Sequence, residues 1–314
     1  MRHTYLGLIF CCIFAADASA CVVDAEFIRE SDSETLVACL EGPEGEGFLN
    51  ERNLELATVL HIAVQTEKDR LVLDAIRRAA SEGWPELRDR LDNEGRTALH
   101  IAADTGENAD TVRWLLNWGA DPNARYAVEN RWNPLSADYG VTPLHLAATR
   151  ANGADVVSAL LASGADPAIA RPIEAGEGKN HWPAVLVASR HAEDLRVLTA
   201  LAAGGADLSA ALNDNNNALH VAAGWDRPNN VIRFLLEAGV DANATNEDGM
   251  TPLHLAARYS SNPETVVSLL EAMDDPCAAD TRERTARELL KLNEALAGHH
   301  ELERQFHEIC VEGN

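Results

Sequence analysis

Positive charge is scarce in this chain: across 314 residues, 26 Lys and Arg face 50 Asp and Glu, giving a formal net charge of -24. Phosphate binding needs a dense basic footprint, so this balance excludes a nucleic-acid partner. It equally excludes adsorption to an anionic membrane surface. Aromatic residues make up only 5% of a sequence that is 46% hydrophobic, so its interior is lined by alanine and branched aliphatics in a soluble fold. Long apolar runs are missing except for one, from Leu6 to Ala16, which is shorter than the ~20 residues of a spanning helix. No Gly-x-Ser-x-Gly elbow, His-Glu-x-x-His pair or phosphate loop is present, so neither catalysis nor a cofactor is expected.

The single apolar run has the marks of an export signal. Arg2 and His3 precede it and the small residues Ala18-Ser19-Ala20 follow it, as in a secretory leader, so residues 1-20 are read as signal peptide and Cys21 as the mature start. Ala18-Ser19-Ala20-Cys21 also resembles a bacterial lipoprotein cleavage box, although Ala18 replaces the usual large aliphatic residue. A lipid anchor at Cys21 therefore stands as an alternative to plain secretion.

What the chain has in abundance is repetition. Thr97-Ala98-Leu99-His100-Ile101-Ala102-Ala103 returns at Thr142-Pro143-Leu144-His145-Leu146-Ala147-Ala148, at Asn217-Ala218-Leu219-His220-Val221-Ala222-Ala223 and at Thr251-Pro252-Leu253-His254-Leu255-Ala256-Ala257. A turn glycine follows at one fixed distance from the first position, Gly119 after Thr97, Gly164 after Thr142 and Gly239 after Asn217, with Met273 the deviant after Thr251. Self-similarity of this kind is the mark of an array. Within the Thr142 copy, Thr142 can cap a helix that Pro143 opens, with Leu144 and Ala147 on one face. Val157, Leu160 and Leu161 then form the stripe of a second helix that Gly164 can end. Neither helix buries its face alone, so stability must come from stacking.

Thr-Pro-Leu-His-x-Ala-Ala, then a Val/Leu-rich run and Gly-Ala-Asp, resembles the ankyrin repeat. The register runs through Thr58, Thr97, Thr142, Pro183, Asn217, Thr251 and Thr285; the steps from Pro183 onward are equal, and those before it are longer. The resemblance covers roughly residues 33 to 293 and implies an all-α solenoid of stacked helix-turn-helix units with hairpin loops, capped at both ends. The expected organisation is a capping half repeat over 21-50, about seven repeats over 51-293 and a C-terminal capping helix over 294-314. It also implies that His61, His100, His145, His220 and His254 are structural, hydrogen-bonding between neighbouring units. In a stack the two ends lie too far apart for cross-linking, so Cys21 with Cys39 and Cys277 with Cys310 is the expected pairing. Secretion with two disulfides points to the periplasm or the extracellular space.

Function in such an array lies in what varies, and the family binds proteins through hairpin tips and the exposed ends of first helices. Three hairpin regions are enlarged, at 82-93, 125-139 and 171-181. The second gathers Arg125, Tyr126, Arg131, Trp132 and Tyr139, residue types that dominate interface hot spots. They either fold back to close a long loop or build a recognition ridge. A second stripe follows the paired small residues of each first helix: Arg150, Arg190, His191, Trp225, Arg258 and Tyr259. Its arginines either pair with local carboxylates or present a surface to an unidentified protein partner. On the last helix His299, Glu303 and His307 recur at intervals of four, a spacing at which imidazole and carboxylate can meet one metal ion, and this supplies an alternative metal-binding reading.

Overall fold

The computed structural model describes residues 25-42, 58-83, 85-125, 140-175 and 178-312. The chain divides into two compact units, residues 1-93 and 94-314. In the first, α1 (Ala25–Glu30) and α2 (Ser33–Glu41) precede α3 (Val59–Gln65), α4 (Arg70–Gly83) and a 3-10 turn over Pro85–Asp89. Asp32 starts α2 by accepting the Thr35 N–H at 2.7 Å, satisfying a donor that has no partner within the helix. α1 packs on α3 and α2 on α4, and Ile28, Leu36, Leu40, Leu60 and Ile76 are buried. Two helices thus precede Thr58 in the region read from the sequence as a capping half repeat. Leu87 is fully buried and its 3-10 turn packs on α4, so the enlarged region at 82-93 contributes to packing as well as surface.

The second unit is built of helix pairs: α5 (Ala98–Thr105) with α6 (Ala109–Trp118), α7 (Pro143–Ala148) with α8 (Ala154–Ala162), and α9 (Ala184–His191) with α10 (Arg196–Ala203). Then come α11 (Ala218–Gly224) with α12 (Asn229–Glu237), α13 (Pro252–Tyr259) with α14 (Pro263–Ala272), and the short α15 (Ala286–Leu290). Each of the seven register positions, Thr58 included, is the N-cap of a helix. First helices pack on first helices from α5 through to α15, and the paired alanines allow the close approach, Ala103, Ala147, Ala222, Ala223, Ala256 and Ala257 all being fully buried. Gly119, Gly164, Gly205 and Gly239 take positive φ at the ends of second helices, where a side chain would be strained. Among the described residues no helix is long and apolar enough to cross a membrane.

The motif histidines bind one repeat to the next. In the Thr97, Thr142 and Thr251 repeats the imidazole Nδ1 accepts the N-cap backbone N–H at 3.1–3.2 Å and lies 2.8 Å from the N-cap hydroxyl. Nε2 reaches the carbonyl just before the next N-cap: His100 to Val141 at 3.2 Å, His145 to Trp182 at 3.0 Å, His220 to Met250 at 3.0 Å and His254 to Arg284 at 3.2 Å. A carbonyl only accepts, so Nε2 carries the proton and one neutral tautomer spans the junction. Burial pushes the His220 imidazole down to about 4, against its bond to Met250 and the nearby Asp214 and Asp241 carboxylates. Burial lowers His254 as well.

The Pro183 repeat breaks this ladder. Leu186 occupies the histidine position and is fully buried, and it has no donor for the following repeat. At the same junction the second helices α10 and α12 make little contact, whereas α6 packs on α8, α8 on α10 and α12 on α14. The enlarged region before this repeat is not helical: it is an antiparallel ribbon, β1 (Ala170–Ala175) against β2 (Gly178–Pro183), paired from Ala170 opposite Pro183 to Ala175 opposite Gly178. The chain's C-terminal end also departs from one long helix. It forms a 3-10 turn at Glu294–Leu296, α16 (His300–His307), whose Leu302 and Phe306 are fully buried, and a π turn at Glu308–Glu312.

Candidate protein-binding ridge

First helices are short because a turn follows the paired small residues, so all end within about one turn of the same register position and the residues there line up with those of their neighbours. This register places Arg190 and His191 at the end of α9, Trp225 at the C-cap of α11, and Arg258 and Tyr259 at the end of α13. The Arg190 guanidinium carbon lies 4.0 Å from the centre of the Trp225 ring and 5.8 Å from that of Trp182. Arg258 sits 5.5 Å from the Tyr259 ring and donates from Nη1 to the Leu292 carbonyl at 2.8 Å. Trp225, Tyr259 and Leu292 are 48%, 55% and 56% exposed, large apolar side chains left in water one per repeat. Singly they would mean little, but a row of three is the kind of patch that marks an interaction site.

The platform beneath the row is tied down. Asp226, at φ 51°, accepts hydrogen bonds from the Ser260 hydroxyl at 2.9 Å, the Ser261 N–H at 2.9 Å and the Ser261 hydroxyl at 2.6 Å. Burial works to raise its carboxyl, but the bonds from Ser261 and Ser260 prevail and hold it below the ordinary carboxylate range. Asn293 donates to the Ala257 and Ser260 carbonyls at 3.1 and 2.7 Å, closing the end of α13. Arg227 donates from two nitrogens to the Trp225 carbonyl at 2.9 and 2.7 Å, doing the same for α11. Consecutive repeats are thus clasped at the ends that carry the row.

The stripe does not behave uniformly along its length. Arg150 is an ion-paired residue, 2.6 Å from Asp104, and its Cβ packs against Gly106 of the preceding repeat. Arg190 and Arg258, by contrast, form no ion pair among the described residues, in a chain where carboxylates outnumber cations. His191 is exposed beside them. Arg125 is exposed at the edge of its loop, while Tyr126, Arg131, Trp132 and Tyr139 lie outside the described residues. Trp182 and Leu292 were missed in the sequence. Leu292 is what one further step of the regular repeat reaches, counted on from Gly224 to Arg258, so the register would have found it. Trp182 carries no such signal, because it stands at the foot of the ribbon in a position occupied elsewhere by Val141, Met250 and Arg284.

At the C-terminal end Cys277 and Cys310 are bonded, with Cα atoms 5.6 Å apart, and this holds the last hairpin to the segment after α16. Cys39 is disulfide-bonded too, and Cys21, its expected partner, lies outside the described residues. His299 is the N-cap of α16, and on that helix His300 lies 4.0 Å from the Glu303 carboxylate. Among the described residues no three His, Cys, Asp or Glu side chains, His299, Glu303 and His307 included, converge as a metal ion requires.

Comparison with known proteins agrees with this architecture. A family model described as ankyrin repeats matches residues 30–126 and 185–280, and a second, described as ankyrin repeat, matches residues 139–171. No curated protein matches the sequence. Among solved structures, the human ASB11 ankyrin repeat domain superposes with a TM-score of 0.57 at 22% identity, covering 76% of this chain and 96% of its own. The ankyrin repeat domain of Bcl-3 gives 0.58 at 22% identity, covering 80% of this chain and 98% of its own. With family matches over more than half of its length and a stack of capped helix pairs, the chain belongs to the ankyrin-repeat family.

Proposed function

We propose that the protein is a non-catalytic binding module of the periplasm or extracellular space, and that it holds a protein partner on the row formed by Arg190, Trp225, Arg258, Tyr259 and Leu292. Ankyrin repeats generally mediate protein–protein interaction, and the observation that carries this reading is the exposed Trp225 ring stacked under a guanidinium that has no carboxylate partner among the described residues. Tryptophan, tyrosine and arginine are the residue types that concentrate binding energy at interfaces. Because the row is fixed by hydrogen bonds on both sides, little ordering entropy opposes binding. Arg125, Tyr126, Arg131, Trp132 and Tyr139 of the enlarged loop are proposed as further contacts for the same partner, on the strength of their residue types alone.

The compartment rests on two supports. The charge-flanked apolar start of the sequence reads as a leader of residues 1-20, and disulfides at Cys39 and at Cys277–Cys310 persist in oxidising surroundings. Intact mass of protein from its native fraction, before and after reduction, tests this directly. A start at Cys21 with two disulfides supports export, an acylated Cys21 converts it to the anchored form, and a retained leader or free thiols overturn it. Chemical cross-linking followed by capture with wild type, Trp225→Ala and Arg113→Ala tests the surface. Loss of the captured partner in Trp225→Ala alone is expected, and equal capture by all three removes the row from the function.

A further inference from the structure

The row has a chemistry more specific than that of a general protein contact. The Arg190 guanidinium carbon lies over the Trp225 ring at 4.0 Å and near Trp182 at 5.8 Å, and the guanidinium donates no hydrogen bond to any described residue. Stacking occupies the faces of a guanidinium and leaves its N–H donors directed outward in the plane, in the fork that takes a carboxylate in two parallel bonds. Arg258 uses one nitrogen on the Leu292 carbonyl and keeps its others. The chain's net charge of -24 does not decide the partner's sign at this site, since charges beyond a Debye length of about 8 Å are screened while a contact pair is not.

Spacing supplies the second element. Trp225, Tyr259 and Leu292 stand at or just beyond the C-terminal ends of successive first helices, Leu292 two residues past α15, and packed helices lie about 8–10 Å apart. A polyproline II segment has three residues per turn and a rise of about 3.1 Å, so it presents the same edge every ~9 Å. A partner helix would instead lay an apolar stripe at least about 100° wide into a groove, whereas this row is one side chain across.

We propose that the row receives an extended acidic segment of a partner protein, with a carboxylate forked onto Arg190 and apolar side chains, one at every third residue, on Trp225, Tyr259 and Leu292. This rests on the reading that the row is a binding surface. The test uses the full chain and four labelled synthetic peptides of about a dozen residues. The first carries Leu or Pro at every third position among Asp and Glu, the second has the same composition with the apolar residues moved to every second position, the third has Lys for each acidic residue, and the fourth is an amphipathic helix. Fluorescence anisotropy should show the first binding best, and Arg190→Gln should weaken it at least about tenfold, the loss of a charge-assisted bond, with the thermal melt unchanged. Equal binding of the lysine or shifted peptide, preference for the helix, or no binding at all overturns the inference. If a captured native partner is still lost in Trp225→Ala, the binding role survives that failure, whereas capture indifferent to Trp225→Ala removes the role itself.

Discussion

Consider acidification from about pH 7 to about pH 5, where the motif histidines decide the outcome. His220 is buried with Nε2 on the Met250 carbonyl, and burial pushes it down to about 4 from its ordinary 6.5. Below about 6.5 the unfolded chain binds a proton that the folded chain refuses until about 4. The contribution is therefore intact above 6.5 and is lost as pH falls towards 4. The slope is ~1.4 kcal/mol per pH unit, so going from 6.5 to 5 removes about 2 kcal/mol through this one side chain. His254 is lowered in the same direction and adds to the loss. Relief of charge repulsion in a chain of net charge -24 acts the opposite way, so the quantity to read is a difference. His220→Leu installs the residue that Leu186 already places at this position and cannot titrate. Urea unfolding of both proteins by circular dichroism across that range should show their stability difference shrinking by about 2 kcal/mol as pH falls. A difference constant across the range would falsify the buried neutral imidazole.

Three further outcomes are expected. Changing Cys277 and Cys310 to Ser opens a cross-link of sequence separation 33 and should lower stability by about 3–4 kcal/mol on the chain-entropy account, with hydrogen exchange accelerating first in α16; unchanged protection there would refute the clamp. Gly106→Ala places a Cβ 2.8 Å from the Arg150 Cβ at a φ of 70°, so a loss of about 1–2 kcal/mol is expected in thermal unfolding, and a neutral result would show that the α5–α7 junction yields. Asp226→Ala removes the acceptor of three hydrogen bonds from Ser260 and Ser261 and should cost about 1–2 kcal/mol, since the Ser260 hydroxyl keeps the Asn262 carbonyl and Ser261 is exposed; chemical denaturation would reveal it, and a negligible loss would mean that water replaces the carboxylate.

Much of the fold was legible because the N-cap position is set by local chemistry. A Thr or Asn followed three residues later by His specifies a cap from a single short stretch, and each registered position starts a helix, Pro183 included. The ribbon at Ala170–Pro183 was not legible, because Arg171 to His181 offers no clean alternation of apolar and polar residues and its pairing is fixed by the two repeats it joins. The stripe was legible as a register but not as an interface. That Arg150 pairs with Asp104 of the preceding repeat, while Arg190 turns to Trp225, depends on which side chains neighbouring helices bring alongside. Trp182 entered the site only through three dimensions.

In a one-dimensional array total stability is the sum of what each unit contributes and what each junction adds, so unequal junctions give such a protein a place to part. Within the second unit the junction between the Pro183 and Asn217 repeats is such an unequal one, since Leu186 supplies no imidazole and α10 and α12 scarcely touch. Arg190 on Trp225 crosses this same seam on the outside. A ligand seated on that pair grips both sides of this junction at once, so the free energy of capture is also free energy against its opening, growing with ligand concentration as linkage demands. Capture of a partner would thus also stitch together two neighbouring repeats that share no imidazole bond.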